Sequence, residues 1–104
     1  MELITLEEAK AYLRVDTAEE DGVIEGLLSS AAVFCKDVAR LTPEEWEAVD
    51  SAVAEEGYED MQHTIRIAIL YTLGYLYEHR EKADMHELAL TLRSLLFAIR
   101  EGVV

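Results

Sequence analysis

Residues 67–77 read "IAILYTLGYLY", eleven consecutive positions without a charge in a chain of net charge −13. A bilayer span needs about 20 apolar residues. The run is too short for that, and a soluble protein is expected. Wound into a helix, it is apolar on every side. Ile65, Ala68, Ile69, Thr72, Leu73 and Leu76 follow one line, and Leu70, Gly74 and Tyr77 another. Ile67, Tyr71 and Tyr75 lie beside them. The segment "TIRIAI" alternates briefly as a strand would. It is embedded in a longer helix-compatible run, so a helix near 60–79 is predicted. A helix apolar all round is covered all round. Its cover is either the rest of its own bundle or a second subunit, and tyrosine suits both a core and a half-wet interface.

Helix-start signals divide the remainder. In "TLEE", Thr5 and Glu8 form a capping box that opens a short helix to about Leu13, with Leu6, Ala9 and Leu13 inward. "DTAEE" offers a second box, Thr17 with Glu20, opening a helix from about Thr17 to Ala39. Ile24, Leu27, Leu28, Ala31, Cys35 and Val38 form its stripe, widened by Val23 and Phe34. "LTPEEWEAVDSAVAEEG" gives a third box, Thr42 with Glu45, and Pro43 in the first turn. This acidic helix is expected over about 43–56, with Trp46, Val49, Ala52 and Val53 inward and Gly57 as its stop. The last helix is predicted from near Asp84 to about Arg100, ended by Gly102. Leu88, Leu92, Leu95, Leu96 and Ile99 line its apolar face. The expected fold is all-α: one domain over 1–104, a small bundle of about five helices around a central apolar helix.

The charge is unevenly spread. Residues 1–60 hold 4 basic and 17 acidic side chains, whereas residues 61–104 hold five of each. An acidic surface repels phosphate backbones, which argues against ordinary nucleic-acid binding. It equally aids solubility, and it suits a protein that lies near DNA without sticking to it. The single cysteine, Cys35, rules out an internal disulfide framework. In "AAVFCKDVA" it reads as a buried small hydrophobe.

Signs of catalysis are missing. The sequence has no glycine-rich phosphate loop, paired-cysteine motif or zinc-protease helix motif. His79 and His86 flank a predicted turn with no third ligand implied, and His63 is unremarkable, so no metal or cofactor is expected. The adjacent carboxylates in "LEEAK", "AEEDG" and "PEEWE" point to different sides of their helices and follow from composition. The sequence predicts no enzyme.

Four segments in order carry a resemblance: "ITLEEAKAYLRVD", "DGVIEGLLSSAAVFCKDV", "IRIAILYTLGYLYEHRE" and "LRSLLFAIR". Together they resemble the head–tail connector (adaptor) family of tailed phages and prophages. Two departures stand out. Residues 41–60 form an extra acidic helix where many members have a short connection, and the last helix lacks the proline often found before "LL". The resemblance implies a small helical, non-catalytic subunit of a homo-oligomeric ring beneath the portal protein. Such a ring extends the DNA channel, touches a tail or stopper protein, and lets DNA pass without specific binding. It implies a place in the virion, or in the host cytoplasm during assembly, and no membrane. On that basis Tyr71, Tyr75, Tyr77, Glu78 and Arg80 are expected at a subunit interface. Leu95, Leu96, Phe97, Ile99 and Arg100 are expected to dock the portal or to close the bundle. The alternative is an acidic helical binding module, such as a DNA mimic, that docks a basic protein.

Overall fold

The computed structural model describes residues 1–101, with side chains described through Phe97. Five helices and no strand occur among these residues: α1 Leu6–Leu13, α2 Asp21–Ala39, α3 Pro43–Val49, α4 Glu59–Glu78 and α5 Met85–Glu101. The all-α bundle expected from the sequence is therefore present. The expected stop at Gly102 lies outside the described residues.

Capping sets the ends of α1. The Thr5 hydroxyl accepts from the Glu8 amide at 3.1 Å, and the Glu8 carboxylate accepts from the Thr5 amide at 3.2 Å. At the other end Arg14 turns left-handed (φ 61), so that the Val15 amide reaches back to the Lys10 carbonyl at 2.9 Å. Arg40 ends α2 the same way (φ 56), with the Leu41 amide on the Lys36 carbonyl at 3.1 Å. Both are Schellman-type ends made without glycine.

The second expected box does not form. Residues 17–20 are bends and turn, and α2 starts at Asp21. The physical reason is competition for Glu20. Its carboxylate bonds Tyr77 and Arg80, far along the chain, and so does not fold back on Thr17. The start of α2 is held instead by an ion pair between Lys10 and Asp21 at 2.7 Å, with the acid at the positive end of the helix dipole.

The third box forms as expected, with Thr42 and Glu45 exchanging bonds at 3.1 and 2.9 Å. The helix behind it ends at Val49, well short of 56. Asp50 leaves the helix to accept the backbone amides of Glu2 and Leu3 at 2.7 and 2.9 Å. The Gln62 side chain then takes the freed carbonyls of Val49 and Ser51 at 3.0 and 2.9 Å. Ala52 and Val53, expected inward, are consequently exposed. Gly57 (φ 92) makes the left-handed turn into α4, where it was expected to stop α3.

The core lies where α2, α4 and α5 meet. Ile24, Leu28, Ala31, Cys35 and Ala39 of α2 pack on Ile65, Ala68, Ile69 and Leu73 of α4, with Leu88, Leu92 and Leu96 of α5. Each fully buried Ile or Leu side chain contributes about 1.5–3 kcal/mol. Val23, expected to widen the α2 stripe, is exposed. The small residues on α2 bring α4 close enough for a buried polar contact. The Thr72 hydroxyl donates to the Ala68 carbonyl at 2.8 Å, which leaves its oxygen to accept from the Cys35 thiol at 3.4 Å. Burial pushes that thiol up to about 11, and it is a core group, as expected.

Candidate functional site

α4 is central, yet its own chain covers only part of it. Ile65, Ala68, Ile69, Thr72 and Leu73 are buried, Leu70 and Leu76 half-buried, and Ile67 and Tyr71 exposed. Tyr12 of α1 lies over Gly74. A Cβ there would stand 3.2 Å from the Tyr12 ring, so the missing side chain makes room for the tyrosine. Tyr12, Ile67 and Tyr71 are 49, 44 and 43% exposed and form an outward apolar stripe. Glu78, two turns beyond Tyr71 on the same side, is exposed and makes no ion pair among the described residues.

The other three expected interface residues are gathered at the α4–α5 turn and bonded within the subunit. The Tyr75 hydroxyl accepts the Asp84 amide at 2.9 Å, and its ring stacks on His79 with centroids 4.2 Å apart. The Tyr77 hydroxyl donates to Glu20, and Arg80 donates to the same carboxylate at 3.0 Å while lying 4.9 Å over the Tyr77 ring. The Tyr77 bond, followed by the Arg80 contacts, holds the Glu20 carboxyl below its usual range. The Glu20 bond, with some burial, pushes the Tyr77 phenol up. This clasp fixes how α4 hands over to α5.

On α5, Leu96 is buried and closes the core, whereas Leu95 and Phe97 are exposed, Phe97 at 59%. The side chains of Ile99 and Arg100 lie outside the described residues. Asp84 opens this helix by accepting from the Glu87 amide at 3.0 Å.

A second surface was not anticipated from the sequence. A groove of about 1410 Å³ runs between α2 and α3, lined by Leu27, Val33, Phe34, Leu41, Trp46 and Leu76 among others. Lys36 and Arg40 stand on its rim, with the Lys36 ammonium 4.7 Å over the Trp46 ring. The signal was present in Val33, an exposed apolar residue on the side of α2 away from Ile24, Leu28 and Cys35, with Phe34 half-buried at the edge of the core between the two sides. The early end of α3 then shapes the far wall. Among the described residues, no cluster of three His, Cys, Asp or Glu side chains could hold a metal. No described helix is long and apolar enough to cross a membrane.

The architecture is thus a small helical bundle with bonded turns and apolar surface left over on two sides, suited to packing against other proteins. Residues 3–101 match the family described as phage gp6-like head-tail connector protein, and the chain belongs to that family. It is accordingly a structural protein of the phage head–tail connector. No curated protein and no solved structure matches the chain.

Proposed function

We propose that this chain is the repeating subunit of a connector ring that joins the portal to the tail or stopper and extends the DNA channel. The observation that carries the reading is the outer side of α4. The helix with the longest uncharged run in the chain keeps Ile67 and Tyr71 exposed, together with Tyr12. Exposed bulky apolar side chains grouped on one side of a small protein suit a subunit contact. Tyr71 and Glu78 lie at that contact. Tyr75, Tyr77 and Arg80 act behind it by fixing the α4–α5 turn.

The portal is met by the end of α5, through the exposed Leu95 and Phe97 and the Ile99–Arg100 end, while Leu96 anchors the helix to the core. Part of the acidic surface of residues 1–60 faces the DNA channel or its rim, where negative walls let the duplex slide without binding. No chemical step belongs to this role.

Light scattering and electron microscopy of the purified protein, alone and mixed with portal assemblies, test the reading. Rings under either condition are the expected result. A protein that stays monomeric in both, and instead competes with DNA for a basic partner, would make it the acidic binding module.

A further inference from the structure

α2 and α4 bury their inner sides on each other, so their outer sides look away from one another. The outer side of α4 carries the projecting stripe of Tyr12, Ile67 and Tyr71. The outer side of α2 forms a wall of the apolar groove. One surface is made of bulky exposed side chains and the other is concave. A projecting apolar stripe is suited to a concave apolar surface. At about 1410 Å³ the groove exceeds the roughly 300–1,000 Å³ of small-molecule pockets and suits a helix side chain stripe.

One local ion pair is open to the same contact. A two-fold contact through the acidic segments would set two surfaces of like charge together. α4 instead lies almost wholly in residues 61–104, which are neutral overall, and the groove belongs mostly to the acidic part. Two of the four basic residues of that part, Lys36 and Arg40, stand on the groove rim, among the acidic Glu2, Asp37, Glu47 and Asp50. Arg40 is exposed and makes no ion pair among the described residues, and neither does Glu78 beside the stripe.

We infer that the Tyr12–Ile67–Tyr71 stripe of one copy seats in the α2–α3 groove of the next, with Glu78 opposite Arg40. The contact is head-to-tail, the type that generates rings when its rotation closes. It rests on the ring reading above and specifies which two surfaces meet.

Cysteine cross-linking tests it. Val33 on the groove wall is 61% exposed, and the native Cys35 is buried with its thiol pushed up to about 11, so it stays out of exchange. Mixing Tyr71→Cys with Val33→Cys chains under air and a copper catalyst gives a linked dimer. The doubly substituted chain gives a ladder, and neither single variant links to itself. Independently, Arg40→Glu weakens self-association about fivefold, the upper end for an exposed ion pair, and adding Glu78→Arg restores it. Self-linking of the Tyr71→Cys chain would show a two-fold contact and overturn the proposal. Rings without the Tyr71–Val33 link would overturn it too, leaving the ring reading intact and the groove to another virion protein. No self-association in any condition, with or without portal, would remove both.

Discussion

The Tyr77 hydroxyl donates to the Glu20 carboxylate across 57 positions of sequence, and Arg80 closes on the same carboxylate from the other side. One acid at the start of α2 thus holds the end of α4. The pH dependence follows from the two shifts. Glu20, depressed in the folded state, stabilises above its ordinary value of 4.5, and this is lost as pH falls through the folded value. Tyr77, raised, stabilises below its ordinary value of 10.0, and this is lost as pH rises through the folded value. The melting temperature of Glu20→Gln should lie below that of the parent by a constant margin between about pH 5 and 9. The margin should narrow below pH 4.5. A margin independent of pH would mean that the clasp does not act through the ionised carboxylate.

The caps give a graded series. Thr5→Ala and Thr42→Ala should each cost about 1 kcal/mol in urea unfolding, because each removes a formed cap. Thr17→Ala should cost only a few tenths of a kcal/mol, because Thr17 lies in a bend before α2. Equal losses at all three positions would restore the second box.

Asp50 fastens the N-terminal segment whose Leu3 and Ile4 are buried. Asp50→Ala should destabilise by about 1–3 kcal/mol, since it leaves two amides without their charged acceptor. Asp50→Asn, which keeps an acceptor oxygen, should fall between that variant and the parent. Hydrogen exchange at the Glu2 and Leu3 amides reports the contact directly.

Gly74 and Tyr12 should show coupling. Gly74→Ala gains about 1 kcal/mol of helix propensity, but the new methyl presses on the Tyr12 ring at 3.2 Å. The gain should be complete in a Tyr12→Ala background and smaller in the parent. Additive effects in the double-mutant cycle would show that the ring moves aside freely.

Cys35 should resist thiol reagents in the native protein and label only as the chain unfolds, since it is buried with a raised thiol. Rapid labelling in buffer alone would contradict its placement between α2 and α4.

What could be read from the chain followed from local rules. The boxes at Thr5 and Thr42, the period of α2 and the apolar run of α4 depend on neighbours within a few residues, so the helix set was legible. The false box at Thr17 and the overlong α3 share one cause. Glu20 and Asp50 take partners 57 and 47 or more positions away, and sequence spacing carries no record of such bonds. The candidate site shows the same division. Tyr71 was legible as a surplus apolar side chain. The bonding of Tyr75, Tyr77 and Arg80 within the subunit, and the α2–α3 groove, required knowing where helices end and which side of α2 meets α4.

The small buried contact between Cys35 and Thr72 has a reach beyond the core. It lies in the α2–α4 core contact, which sets the angle between the two outer surfaces these helices carry. In the closed circle of head-to-tail copies proposed above, the departure of that angle from a half turn is a full turn divided by the number of subunits. A core substitution that tilts α4 by a few degrees, touching no neighbour, would change how many copies complete the circle.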